Sequence, residues 1–277
     1  MSWFVYTMRM KWPASVSIVR HGQSAYNLLN KIKKDERSAF GIFESQFKKE
    51  YEGANDEAWV SDELRTLAIA ARRELNGTFS EGDYATPLTE EGIRQSRETG
   101  ARLLNEIPMP DVVFVSPYLR TRKTFEHILE TCPQLSDVKM VFEERIREQE
   151  HGLSTIYNDR RIYLTLNPEQ GVLYRRGGDY EYRFLNGENK ADVRNRIRSF
   201  IDTLIREHSG QNVLLISHHL TLLAFRATME RWDREEFMRV DKEETPVNCG
   251  VTLYQGKPLL GRDGKLVLER YNQQLYA

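Results

Sequence analysis

The stretch Ser15-Val16-Ser17-Ile18-Val19-Arg20-His21-Gly22-Gln23-Ser24-Ala25-Tyr26-Asn27 decides how the rest of the chain is read. Val16, Ile18 and Val19 are β-branched and are bounded by Pro13 upstream and Gly22 downstream, so they predict a short, buried strand. Arg20 and His21 stand at its exit. Gly22 allows a tight turn, and Ser24 and Asn27 fall where a helix would begin, with backbone N–H groups free to meet an anion. An arginine, a histidine and a helix N-terminus at one strand end point to a phosphate site.

Composition narrows the field around that stretch. With 277 residues the chain can bury a large core in one domain or two. Its 40 basic and 41 acidic side chains leave a net charge of −1, which gives no bulk attraction to nucleic acid or a membrane surface. Anion binding must therefore be local. The two cysteines, Cys132 and Cys249, suit reduced thiols better than a disulfide framework. The apolar run in Met1 to Trp12 is cut by Arg9 and Lys11 before it could serve as a signal segment, and no later run is long enough to cross a bilayer. A cytoplasmic enzyme is the expectation.

Downstream, Lys31 to Arg37 is a charged run suited to a solvated helix face, with a phosphate-recruiting patch as the alternative. Phe40, Phe43, Phe47 and Tyr51 recur at helical spacing, as do Leu64, Leu67, Ala68, Ala71 and Leu75. Thr89 with Glu90 and Glu91 is a helix start. Asp111 to Ser116 is an apolar strand broken by Pro117, and Tyr118 to Glu130 predicts a helix. Val138 to Phe142 is a further strand. Residues 154 to 189 are aromatic, Arg-rich and without a clear period, a long and partly helical excursion. Val193 to Leu204 restores a strong helix, Asn212 to Ser217 is a buried strand ending in His218-His219, and Leu220 to Arg231 is helical. Val251 to Gln255 and Leu266 to Tyr271 are late strands. Strands alternating with helices predict an α/β three-layer sandwich: a mostly parallel sheet with helices on both faces, plus a helical insertion.

In a parallel sheet the carboxyl ends of the strands share one edge, where open α/β sheets bind ligands. Arg20-His21 closes one strand, Arg120 follows the second, Glu148 follows the third and His218 closes the fourth. Two arginines and two histidines there would be costly to assemble without an anion. A histidine could attack phosphorus, and a protonated carboxyl could release the alcohol. Glu148 is the candidate donor and Glu150 the fallback. His218 and His219 point to opposite sides of a strand end, so one of them packs or caps. His127, His151 and His208 suit structural or surface places. No compact His/Cys/Asp set suggests a metal.

Five blocks in register then resemble the motifs of the histidine phosphatase superfamily, the phosphoglycerate mutase-like proteins. They are Arg20-His21-Gly22-Gln23-Ser24 through Asn27, Leu88-Thr89-Glu90-Glu91-Gly92, Ser116-Pro117-Tyr118-Leu119-Arg120-Thr121, Arg147-Glu148-Gln149 with Gly152, and Ser217-His218. The resemblance implies that His21 becomes a phosphohistidine, that Arg20, Arg120 and His218 clamp the phosphoryl group, and that Glu148 donates and then accepts a proton. Ser24 and Asn27 match substrate or phosphate contacts, and Gln23 and His219 join them as expected substrate contacts. Glu188 falls where relatives often carry Gly-Gly-Glu-Ser, a partial match. No metal and no cofactor are implied. The expected organisation is one phosphoglycerate mutase-like domain over 1–277, with insertions at about 28–87 and 153–190.

Family mutases usually follow the first motif with a Phe-x-Gly-Trp-like segment, whereas Asn27 here precedes Leu28-Leu29-Asn30-Lys31. That departure favours hydrolysis of a small phosphorylated metabolite. Mutase-type transfer and a non-catalytic phosphate-reading module are the alternatives. The expected partner is the substrate alone, with no nucleic acid, no membrane, and a homodimer left open.

Overall fold

The computed structural model describes residues 11–51 and 59–277, apart from the side chains of residues 31 and 32. The expectations for Met1 to Met10, for the Lys31 side chain and for positions 52–58 lie outside the described residues.

The opening stretch forms β1 (Ser15–Arg20), buried along its whole length. It is followed by α1 (Ala25–Ile32), α2 (Ala39–Tyr51), α3 (Asp62–Thr78), α4 (Glu90–Glu106), β2 (Val112–Val115), α5 (Leu119–Leu129) and β3 (Lys139–Phe142). The chain then runs through α6 (Arg160–Leu166), α7 (Pro168–Glu181), α8 (Lys190–Glu207), β4 (Asn212–Ser217), α9 (His219–Glu230), α10 (Arg234–Glu243), β5 (Val251–Lys257) and β6 (Lys265–Gln273). Helix starts follow their caps. Thr89 accepts from the Gly92 amide, Ser61 from the Leu64 amide, and Asn189 with Asp192 closes a capping box.

The sheet order is β3-β2-β4-β1-β5-β6. β1, β2, β3 and β4 are mutually parallel, whereas β5 runs antiparallel to β1 and β6 antiparallel to β5. Alternation along each strand divides the core in two. Val16, Ile18, Val112, Phe114, Val213 and Leu215 face one side, against α8 and α9 through Val193, Ile197, Phe200 and Leu223. Val19, Val113, Val115, Leu214 and Ile216 face the other, against Leu103 of α4 and Phe125 and Ile128 of α5. These are the two helical layers of the α/β sandwich.

A third core is shared by segments 28–87 and 153–190. Leu29, Phe40, Phe43, Leu64, Ala68 and Leu75 of the first segment pack with Ile162 of the second. The two segments therefore build one cap over the carboxyl end of the sheet. In α6 the consecutive residues Ile162, Tyr163, Leu164 and Thr165 are all buried, because the helix lies between α3 and a layer made by Tyr182 and Phe184. A helix covered all round shows no polar face. The next helix, α7, is broken at Gly178 (φ 68°). Both facts explain why 154–189 shows no period although much of it is helical. Sequence patterning also missed α10, whose Asp233 caps it and whose Phe237 and Val240 are its only buried anchors. Among the described residues no helix is long and apolar enough to cross a membrane.

Candidate active site

The register aligns the strand ends. Arg20 sits beside Ser217, and Val115 lies beside Ile216 and Phe142. The residues that leave these strands therefore converge, although they come from positions far apart in the chain. A cavity of about 600 Å³ opens there, with Arg20, His21, Arg120, Glu148 and His219 in its lining.

His21 and His218 are buried, their ring centroids 5.2 Å apart and edge to face. His21 Nδ1 lies 2.7 Å from the Gly22 carbonyl and donates to it, so the lone pair of the neutral ring is on Nε2. Burial first, and then Arg120 and Arg20, push this imidazole well below its ordinary value of 6.5. Burial and Arg120 do the same to His218. The His218 Nε2 shares a 2.7 Å hydrogen bond with Ser116 Oγ, and its Nδ1 is buried without a partner. Arg20 donates through Nη1 to the Pro246 carbonyl, while its buried Nε has no partner. Arg120 donates through Nη1 to the backbone oxygen of Asp83 at 2.7 Å and to its carboxylate at 2.8 Å.

Tight loop contacts set this geometry. A Cβ on Gly22 would fall 2.5 Å from the Gly92 oxygen, and one on Gly92 would fall 2.1 Å from the Gln23 oxygen. The first turn of α4 is thus seated directly on the turn after β1. Thr124 of α5 accepts from the Gly22 amide at 2.9 Å, and Gln95 of α4 accepts from the Gln23 amide at 3.0 Å.

The segment after β3 is fastened as firmly. Ile146 O accepts from Ser217 Oγ at 2.8 Å, and Glu148 O accepts from Arg196 Nη2 at 3.0 Å. Glu188 bridges Arg147 and Arg196, at 2.9 Å each, and accepts from the Glu150 amide. The Glu148 carboxylate takes the amides of Gln149 at 3.0 Å and Leu220, at the start of α9, at 3.3 Å. Glu150 instead accepts from Tyr118 Oη at 3.3 Å and is not in the cavity lining.

The other residues singled out in the sequence separate into two groups. Ser24 and Asn27 both line the cavity, and Asn27 Oδ1 accepts from Ser24 N and Oγ and from Asn248 Nδ2, each at 3.1 Å. Gln23 is turned away, its Oε1 accepting from Thr89 Oγ1 at 3.1 Å, and it does not line the cavity. The physical reason is the close seat of α4, which gives the Gln23 side chain a partner outside the pocket. Of the paired histidines, His218 points inward to Ser116, and His219 reaches the cavity wall with Nε2 3.0 Å from Asp241 Oδ1. His151, expected to be structural or at the surface, is also on that wall.

Sequence reasoning missed Asp83, Asp241 and Asn248. None belongs to a motif, and Asp241 sits on the unrecognised α10. Glu188 had a visible signal in its partial motif. Among the described residues no group of three or more His, Cys, Asp or Glu side chains is placed to hold a metal.

Comparison with known proteins identifies the family and the fold. The model of the histidine phosphatase superfamily (branch 1) matches residues 55–262, a span that begins after Arg20-His21 and contains the later blocks. A phosphoglycerate mutase-like protein of Arabidopsis thaliana is 30% identical over 203 residues, covering 64% of this chain and 70% of that one. The 2,3-bisphosphoglycerate-dependent phosphoglycerate mutase of Bartonella tribocorum is 29% identical over 153 residues, 54% of this chain and 73% of that one. A mycobacterial glucosyl-3-phosphoglycerate phosphatase, solved with inorganic phosphate, superposes with a TM-score of 0.58 over 95% of this chain and 98% of its own, at 16% identity. That last likeness is one of fold. Strand order, converging strand ends and the family match lead to one conclusion: the chain belongs to the histidine phosphatase superfamily, branch 1.

Proposed function

We propose that this protein hydrolyses phosphomonoesters of a small metabolite through a phosphohistidine on His21, without a metal. The observation that carries this reading is the pairing of two buried guanidinium groups with two buried imidazoles, in which Arg20 Nε and His218 Nδ1 have no protein partner. Such a cluster is costly unless an anion fills it. A phosphate dianion satisfies it with fork-shaped donors on several sides.

In the first step His21 Nε2 forms a bond to phosphorus as the ester P–O bond breaks. The leaving alkoxide takes a proton from the Glu148 carboxyl. In the second step water attacks phosphorus, the P–N bond breaks, and Glu148 takes the proton back. Arg20, Arg120 and His218 hold the equatorial oxygens, where charge accumulates. The neutral state of His21 leaves its lone pair available near and below pH 6.5. Ser24 and Asn27 contribute contacts at the turn. The same reading takes residues 1–277 as one cytoplasmic domain, with its two insertions walling the substrate and a homodimer left open.

Mutase-type transfer is the second reading, favoured by relatives that bear that name. Incubation with 3-phosphoglycerate and its 2,3-bisphosphate separates the two, because a mutase moves phosphate between hydroxyls without net release. The expected result is net phosphate release. Leaving-group dependence tests the assigned roles. His21→Ala should abolish release from every ester, whereas Glu148→Gln should slow alkyl esters by about a hundredfold or more and p-nitrophenyl phosphate far less. Equal loss on both esters would remove Glu148 from the proton-donor role. Retained release in His21→Ala would remove the phosphohistidine.

A further inference from the structure

The outer part of the cavity has a different chemistry from its floor. Its cations come from both insertions and from α8. Each is already held by a carboxylate in the wall. Lys33 Nζ is 3.1 Å from Asp159, and Arg161 Nη2 is 2.9 Å from the same group. Arg160 is 2.7 Å from Asp179, and Lys190 stands between Asp179 and Asp241, 3.0 Å from the latter. Asp241 also takes His219. Lys33 and Lys190 are only 8% and 7% exposed as side chains. Burial works to raise the carboxyls of Asp159, Asp179 and Asp241, but these contacts outweigh it and hold all three below their ordinary values.

Among the described residues of the lining, the basic side chains are Arg20, Arg120, Lys33, Arg160, Arg161 and Lys190. The acidic ones are Asp83, Glu148, Asp159, Asp179 and Asp241. Counting these side chains alone, six minus five leaves a single positive charge, or two while Glu148 carries the proton it donates, and the phosphoryl group of one ester claims about all of it. A second phosphate in the outer part would compete with these acids for their cations, drawing Lys33 or Lys190 off a buried carboxylate that then keeps only Arg161, Arg160 or His219. A cationic headgroup meets the mirror-image difficulty, since its carboxylate would have to abandon a buried lysine.

The outer wall does suit hydroxyl groups. Paired carboxylates keep spare lone pairs, and Asn30, Thr155 and Asn158 stand among them. Tyr26 and Phe79, edge to face at 5.9 Å, offer an apolar wall to the C–H face of a ring.

Building on the hydrolase reading above, we propose that the outer cavity selects a monophosphate whose remainder is neutral and hydroxyl-rich, and rejects bisphosphates, cationic phosphoesters and plain alkyl phosphates. The fixed lattice of paired ions acts as a neutral array of donors and acceptors, so discrimination arises from hydrogen bonds to hydroxyls and from the energy of disrupting an ion pair.

The test is a comparison of kcat/KM on the wild-type full chain for a set of hexose monophosphates, a hexose bisphosphate, phosphocholine and hexyl phosphate. The best hexose monophosphate should exceed each of the other three by about tenfold or more, the worth of one or two hydrogen bonds. In Asp179→Asn, which leaves Lys190 and Arg160 with less counter-charge, the bisphosphate should gain on the monophosphate by about fivefold. Bisphosphate, phosphocholine or hexyl phosphate cleaved as well as every hexose monophosphate would overturn the proposal while leaving the hydrolase reading intact. An unchanged ratio in a folded Asp179→Asn would overturn the role of the ion pairs. No release from any of the esters would overturn both.

Discussion

The protonation state of two imidazoles decides how this site behaves. Folded His21 and His218 are held neutral by burial and by the arginines beside them, while in the unfolded chain each takes up a proton near pH 6.5. The unfolded state therefore binds more protons just below that pH, and stability falls as pH falls through it. Thermal midpoints without phosphate should drop between about pH 7 and about pH 5.5, and His21→Gln with His218→Gln should flatten the drop. A slope unchanged in that double variant would show that other groups set it. Asp83 is the second residue with a readable consequence. Its carboxylate occupies Arg120 Nη1, so it competes with the phosphate for that guanidinium. Asp83→Asn should tighten inhibition by inorganic phosphate by roughly fivefold, measured as Ki. A weaker Ki would mean that Asp83 serves chiefly to position Arg120. Neither effect was visible in the sequence, because Asp83 lies in a short turn, Asp83–Ala85, with no motif around it.

At the scale of elements, the strands and the turns after them were legible, and the cap was not. Val112 to Val115 and Asn212 to Ser217 are short apolar runs, and their β-branched, two-faced burial follows directly from composition. Gly22 and Gly92 are legible as a pair only once the coordinates bring α4 onto the turn after β1. Gly92→Ala would force a Cβ against the Gln23 backbone, and such overpacking should cost about 2 to 4 kcal/mol of stability, read from denaturant unfolding. An alanine variant of wild-type stability would show that the turn yields easily. The segment carrying Glu148 depends on Glu188, whose carboxylate holds Arg147, Arg196 and the Glu150 amide at once. Helices α6 and α7 escaped a periodic reading because one is buried on every side and the other is broken at Gly178. α10 escaped because its apolar face is only Phe237 and Val240, and with it went Asp241.

At the scale of the whole molecule, convergence is what the parallel sheet supplies. Arg20, His21, Arg120, Glu148 and His218 come from four strand ends, and their order along the chain already implied a common edge. What the chain order could not convey is that two separate segments, 28–87 and 153–190, share one core and close over that edge as a single cap, since this depends on Ile162 packing among Phe40, Phe43 and Leu75. The central claim, a covalent phosphoryl group on His21, is tested most directly by rapid quenching of the wild-type chain with a phosphomonoester in alkali, followed by intact mass and peptide mapping. The expected result is one acid-labile phosphoryl group on the peptide bearing His21, absent in His21→Ala. Turnover of the ester with no such adduct at any quench time, or with the group on another residue, would contradict it.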